Sequence, residues 1–178
     1  MLHIVYGGSA SGKSSYAESF AMSLQGEGRL LYIATMYPYK WNTTEIDPET
    51  MQRIERHRAM RADKGFDTVE CYRHVEHIVA KRQDVLLLEC MSNLLANEMY
   101  LEPDGNAGSD MAETMSPVSN KIVQALIDLS TRVQELVIVT NDVFSDGGSL
   151  TYDESTREYV KNLAEINCAL AREAATVT

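Results

Sequence analysis

Eight residues near the N-terminus, Gly7-Gly8-Ser9-Ala10-Ser11-Gly12-Lys13-Ser14, fit the spacing G-x-x-x-x-G-K-[ST] at every fixed position. That spacing serves phosphate chemistry. The glycines let the backbone curl so that successive N–H groups point inward, and a helix that follows adds partial positive charge at its N-terminus. Lys13 is then the group that reaches the β- and γ-phosphates, and the Ser14 hydroxyl is the one that meets Mg²⁺. A Gly/Ser-rich turn can match the same letters without binding anything, so the flanks discriminate. His3-Ile4-Val5-Tyr6 is an apolar run suited to a strand, and Ser15-Tyr16-Ala17-Glu18-Ser19-Phe20-Ala21 reads as a helix. Strand, loop and helix in this order predict a nucleoside triphosphate site.

Such a loop works with a carboxylate at the end of a neighbouring strand, which holds the metal or its water. Leu86-Leu87-Leu88-Glu89 supplies one, with one more methylene of reach than the commoner Asp. The plainer role for Glu89 is to cap a helix or face solvent. Asp142, after Val139-Thr140-Asn141, is a rival for the same task.

The second informative stretch is Arg53-Ile54-Glu55-Arg56-His57-Arg58-Ala59-Met60-Arg61. On a helix Arg53, His57 and Arg61 fall at i, i+4 and i+8 and share one face, with Arg56 beside them. Two readings stay open. The stripe can be a solvated face with ion pairs to Glu49 or Glu55. Alternatively its arginines hold phosphate oxygens while His57 acts as a nucleophile, since a neutral imidazole is competent near neutral pH. Attack at an α-phosphorus would expel pyrophosphate and leave a phosphoramidate, with arginine stabilising the charge that develops. The remaining histidines carry less. His3 in the first strand reads as structural. His74 and His77 are expected together on a helix surface, with no ligand set around them for zinc.

The whole sequence bounds what these residues serve. It has 178 residues, 44% hydrophobic and 24% charged, which suits one soluble domain over 1–178. A net charge of −10 argues against a general role on nucleic acid or anionic membrane, so phosphate binding must come from local positive charge. Cys71, Cys90 and Cys168 are odd in number and in no C-x-x-C spacing, which suggests reduced thiols and a cytoplasmic location. The first residues run straight into a strand without a basic and apolar leader. No apolar run reaches the roughly 18 residues of a membrane span.

The elements that must position the site follow from pattern. Leu30–Ala34, Asp84–Cys90 and Glu135–Asn141 are compact apolar runs, as in buried parallel strands, and Phe66–Cys71 alternates like a short one. Asp47-Pro48-Glu49 starts a helix that runs to about Met60, and Ser116-Pro117 starts another through Ser130. Helices are also expected over His74–Lys81, Ser92–Tyr100 and about Asp153–Ala175, and Glu102–Asp110 is the most loop-like stretch. Strands alternating with helices predict an α/β fold, a three-layer P-loop NTPase arrangement with a mostly parallel central sheet.

Taken together, Gly-Gly-x-x-Ser-Gly-Lys-Ser at 7–14, Ala17-Glu18, Tyr32–Thr35, Arg53-Ile54-x-x-His57-Arg58, Thr68-x-Glu70, Leu87–Cys90 with Asn97, and Val139–Asn141 occur in one order. The chain resembles the bifunctional adenosylcobinamide kinase/adenosylcobinamide-phosphate guanylyltransferases of cobalamin biosynthesis, from residue 2 to about Asn167. The resemblance implies a homo-oligomeric, Mg²⁺-requiring enzyme that uses GTP, or ATP in the kinase step, to phosphorylate the aminopropanol hydroxyl of a corrinoid. It then transfers GMP from GTP to that phosphate through a guanylylated histidine. The histidine that aligns is His57, with Lys13 as the other catalytic residue.

The nucleotide positions implied are Gly7, Gly8, Ser9, Ala10, Ser11, Gly12, Lys13, Ser14, Ala34, Thr35, Met36, Arg58, Ala59, Met60, Arg61, Glu70 and Glu89, with Ser14 and Glu89 on the metal. A carboxylate such as Glu70 can accept from guanine N1–H and its exocyclic amine. The chain departs from the family in carrying Ala10 where Arg is usual and in a longer Tyr37–Ile46 segment. It also has Phe144-Ser145-Asp146 where a glycine is usual, and an end near Thr178 where relatives add one more strand. A small-molecule kinase with a structural His57, and a nucleotide-binding protein without catalysis, are the alternative readings.

Overall fold

The computed structural model describes residues 1–101, 116–143 and 152–178. In chain order its elements are β1 (Leu2–Gly7), α1 (Lys13–Leu24), β2 (Leu30–Ala34), α2 (Pro48–Arg61), β3 (Phe66–Glu70), β4 (Val85–Glu89), α3 (Met91–Tyr100), α4 (Pro117–Arg132), β5 (Glu135–Asn141), α5 (Glu154–Glu173) and β6 (Thr176–Val177). The strands form one sheet in the order β3-β2-β4-β5-β1-β6, and every pairing is parallel.

Side-chain alternation along the strands divides the core into two layers. Val5, Leu30, Tyr32, Leu87, Val137 and Val139 meet Ala17 and Ala21 of α1 on one face. Leu31, Ile33, Leu86, Leu88, Leu136 and Ile138 meet Leu94, Leu95, Leu126, Leu129, Leu163 and Ile166 of α3, α4 and α5 on the other. The central strands are apolar on both faces because both are covered. This is the three-layer α/β arrangement expected from the pattern, with a sheet parallel throughout.

Helix starts follow their caps. The Asp47 carboxylate accepts from the Thr50 N–H at 3.3 Å with Pro48 in the first turn, Ser116 Oγ accepts from the Ser119 N–H at 3.2 Å, and Asp153 from the Thr156 N–H at 2.7 Å. The cap matters most for α2, in which Arg61 is the one buried residue. Lacking an apolar face, this helix depends on its ends and on polar partners.

Two elements differ from expectation. In place of a helix over His74–Lys81 there is one 3₁₀ turn, Val75–His77, after His74 in the left-handed region at a φ of 57°. Glu98 takes the His74 N–H at 2.8 Å, and Val75 and Ile78 are buried in the core, so tertiary anchors replace the helix ladder. The predicted i, i+3 helical pair becomes two stacked imidazoles with centroids 5.6 Å apart. The chain end also forms strand β6, pairing Thr176 and Val177 with His3 and Ile4 of β1. His3 is structural as expected, its ring bonding Thr176 Oγ1 at 2.9 Å and Glu135 at 2.8 Å. Of the three thiols, Cys168 is exposed and Cys71 and Cys90 are partly buried. The loop at 102–110 and the Phe144-Ser145-Asp146 departure lie outside the described residues.

Gly28, just before β2, sits where the chain crosses the segment entering β4. A Cβ there would lie 1.8 Å from the Gln83 carbonyl oxygen and 2.8 Å from the Asp84 nitrogen, both backbone atoms. Gly28→Ala is expected to cost about 1–3 kcal/mol by overpacking, read as a lower midpoint in urea unfolding with unchanged slope.

Candidate active site

Residues leaving the carboxyl ends of β1, β2, β3, β4 and β5 meet in one cleft of about 750 Å³. Its lining includes Ser9, Ala10 and Lys13 from the phosphate loop, Ala34 at the end of β2 and Met36 beyond it, Arg53, His57, Arg58 and Arg61 from α2, Glu70 and Glu89 at strand ends, and Asp142. Loop and basic stripe, 40 or more residues apart in the sequence, therefore share one cavity.

The loop turns through Ala10 at a φ of 55° and Gly12 at 83°, and α1 begins immediately after. Gly12 adopts this region freely, whereas a left-handed alanine costs about 1–2 kcal/mol. Lys13 Nζ donates to the Gly8 carbonyl at 3.0 Å, so the ammonium lies across the loop it belongs to.

Glu89 completes the expected pairing. Ser14 Oγ donates to its Oε1 at 2.7 Å, while Oε2 is buried with no hydrogen-bond partner among the described residues. Burial pushes the Glu89 carboxyl above its usual range and nearby Glu18 adds to this, against the Ser14 hydrogen bond, Lys13 and Arg61. A buried, half-satisfied carboxylate beside a hydroxyl fits a hard divalent cation. Among the described residues no group of three His, Cys, Asp or Glu could hold a metal, so a cation here must draw further oxygens from phosphate and water. Asp142, the rival candidate, instead hydrogen-bonds the Tyr6 phenol; that bond, with burial as the larger cause, raises the Tyr6 pKa.

On α2, Arg53, Arg56, His57, Arg58 and Arg61 all face the cleft. Burial lowers the His57 pKa below its usual 6.5, and Arg61, Arg56 and Arg53 lower it further. The imidazole is therefore neutral at neutral pH, with an unprotonated nitrogen. Arg61 is 6% exposed, its guanidinium carbon is 3.5 Å from the Tyr32 ring centroid, and its Nε finds no partner among the described residues. Arg58 pairs with Glu70, and the Tyr72 hydroxyl donates to the same carboxylate at 2.8 Å.

Not every expected residue reaches the cleft. Thr35 is fully buried, its hydroxyl donating to the Glu89 and Cys90 carbonyls at 2.9 and 3.0 Å. Asn97, quoted in the sequence pattern, fastens the Thr35 and Tyr72 carbonyls at 2.8 and 2.9 Å. Ala59 and Met60 lie on the exposed side of α2, Met60 being 57% exposed. Gly7, Gly8, Ser11, Gly12 and Ser14 shape the loop behind the lining. The structure adds Tyr32, Tyr72, Asn93 and Tyr159 to the walls. Tyr32 belongs to the quoted sequence pattern, whereas nothing in the local sequence marks Tyr72, Asn93 and Tyr159 until the fold juxtaposes them.

A family model described as cobinamide kinase / cobinamide phosphate guanyltransferase matches residues 3–178. The chain belongs to this family. It is 31% identical over 149 residues to the bifunctional adenosylcobalamin biosynthesis protein CobU of Escherichia coli strain K12, covering 80% of this chain and 76% of the relative. Its likeness to the protein of the same name from Salmonella typhimurium strain LT2 is 31% over 150 residues, with the same shares covered. No described helix is long and apolar enough to cross a membrane.

Glu89 supports a direct test. Glu89→Gln keeps the acceptor for Ser14 while removing a buried charge, so the unliganded protein is expected to melt about 2–4 °C higher. The same variant should lose Mg²⁺-dependent nucleotide affinity, measured by calorimetry with and without the metal.

Proposed function

We propose that the protein phosphorylates the aminopropanol hydroxyl of adenosylcobinamide and then transfers GMP from GTP to the resulting phosphate by way of His57. The observation that carries this reading is the single cleft that exposes both Lys13 and a neutral His57.

Family membership makes the protein a nucleotide-using kinase and nucleotidyltransferase of cobalamin biosynthesis. For the triphosphate, the loop N–H groups and the Lys13 ammonium are the donors, once Lys13 leaves the Gly8 carbonyl. Ser14 and Glu89 are the residues that would hold Mg²⁺, which neutralises phosphate charge when bound. Arg61, desolvated and with an Nε unpaired among the described residues, would meet charge developing on a transferring phosphoryl group. In the guanylyl step the unprotonated His57 nitrogen forms a bond to the α-phosphorus as the bond to the β-phosphate oxygen breaks, and pyrophosphate leaves. The corrinoid phosphate then attacks the same phosphorus, and His57 departs as the neutral imidazole. Glu70 is the group for the guanine edge, which requires exchange of the Arg58 and Tyr72 partners it now holds.

In this reading the chain acts as one nucleotide-binding domain over residues 1–178, in the cytoplasm and as a homo-oligomer, with GTP as donor and ATP an alternative for the kinase step. Its partners are small molecules, nucleotide and corrinoid, rather than nucleic acid or membrane.

Incubation with α-³²P-GTP should give label that survives SDS and is lost in acid, present in wild type and absent in His57→Ala. GTP binding and γ-phosphoryl transfer without label would leave a kinase only, and binding without turnover a nucleotide-binding protein. Because only the neutral ring attacks, and its pKa lies below 6.5, labelling should stay flat across neutral pH. It should fall only as acid protonates His57, seen in a pH profile of the initial labelling rate.

A further inference from the structure

The segment Tyr37–Ile46 folds back on itself. Tyr39 and Ile46 form an antiparallel bridge, Lys40 donates its N–H to the Glu45 carbonyl at 2.9 Å, and the Asp47 N–H reaches the Pro38 carbonyl at 3.0 Å. Trp41 stands at the tip of this projection, 52% exposed, with its ring edge-to-face on Tyr100 of α3 at 6.3 Å. A string of rings leads from there to the nucleotide cleft. Trp41 lies 6.3 Å from Tyr37, and Tyr37 lies 5.4 Å from Tyr72, which borders Glu70 in the cleft wall. Beside Trp41 runs a groove of about 510 Å³ lined by Trp41, Ala96, Tyr100, Ser155, Thr156 and Tyr159. Thr156 and Tyr159 also line the nucleotide cleft, so the two hollows share a wall.

We propose that this groove seats one edge of the corrin macrocycle of the second substrate, with Trp41 and Tyr100 packing against the ring. The inference rests on the cobinamide reading above. Its warrant is the match between a surface and a ligand class. Trp41 and Tyr100 keep large apolar faces in water, 52% and 38% exposed, which is unfavourable unless something flat covers them. A corrin is broad, flat and apolar across its face, with a fringe of amides, and Thr156 supplies a hydroxyl at the shared wall. The reacting hydroxyl hangs from a side arm, so the ring belongs beside the triphosphate cleft and the arm alone must enter it. A groove sharing Thr156 and Tyr159 with that cleft provides this arrangement. The hollow takes one edge of the ring and leaves the remainder to solvent.

Trp41 is the single tryptophan, so tryptophan fluorescence lifetime reports this groove alone and is unaffected by corrin absorbance of the exciting light. Cobinamide titrated into the wild-type protein should shorten the lifetime saturably. Trp41→Ala and Tyr100→Leu should each raise KM for cobinamide about tenfold with kcat changed less than about twofold, and Trp41→Phe should recover most of the loss. Self-labelling with α-³²P-GTP alone verifies that the variants are folded and retain their nucleotide site. Turnover of cobinamide with an unmoved KM in Trp41→Ala, or a wild-type lifetime blind to saturating cobinamide, overturns the groove assignment and leaves the functional reading standing. A lifetime that follows protein concentration instead overturns it in favour of a second copy of the chain. Wild type that labels with GTP and never phosphorylates cobinamide refutes the functional reading, and this inference with it.

Discussion

Because every strand pairs in parallel, the segments leaving β1 to β5 emerge at one edge of the sheet, and the chemical groups of this chain gather there. The phosphate loop follows β1, Ala34 ends β2 and Met36 follows it, Glu70 and Glu89 end β3 and β4, and Asp142 follows β5. Parallel pairing in turn needs both faces covered, which the two apolar layers provide. Those layers are packed with Leu, Ile and Val at almost no exposure, so the strand ends are held on a rigid base. A site on such a base keeps its geometry without help from the loops themselves.

On that base, charge is arranged against the overall balance. The chain carries −10 overall, yet five cationic or titratable side chains of α2 face the cleft, where an anionic substrate would be held. Their mutual repulsion and partial burial have two consequences. They keep His57 neutral, and they leave Arg61 stacked on Tyr32 with a donor that finds no partner among the described residues. Glu89 is the acidic counterpart, buried with one oxygen that finds no partner among the described residues. An unliganded protein bearing such groups gives up stability at the site, a common relation between stability and function. In the proposed reading, the partners now holding Lys13, Arg58 and Glu70 would be internal stand-ins for ligand groups: a carbonyl for phosphate and an ion pair for base and phosphate together.

The helix bearing the histidine is the least anchored part of this arrangement. α2 buries Arg61 and little else, starts from the Asp47 cap and follows the Tyr37–Ile46 projection. With few packed side chains it can shift relative to the sheet at low cost, whereas the phosphate loop, continuous with β1 and α1, cannot. That difference suits one cleft that performs two reactions. In the proposed reading the loop would stay on the triphosphate while the histidine approaches the α-phosphorus in one step and withdraws in the other.

By itself the sequence determined the architecture and the two ends of the chemistry. Apolar runs of strand length, capping residues and Gly7–Ser14 define elements through local periodicity and backbone preference, which a linear chain displays directly. The i, i+4, i+8 spacing of Arg53, His57 and Arg61 likewise put them on one face before any folding. Tertiary structure alone decided what the faces meet. It turned the expected His74–Lys81 helix into a single turn, because buried Val75 and Ile78 and the Glu98 carboxylate outweighed a weak local preference. It added β6 through pairing with β1, brought Glu89 rather than Asp142 to Ser14, sent the Thr35 hydroxyl into backbone, and lined up Tyr72, Tyr37, Trp41 and Tyr100 into one wall. Each of these depends on partners tens of residues away, and strand order and helix docking, which residue spacing along the chain does not encode, choose among them.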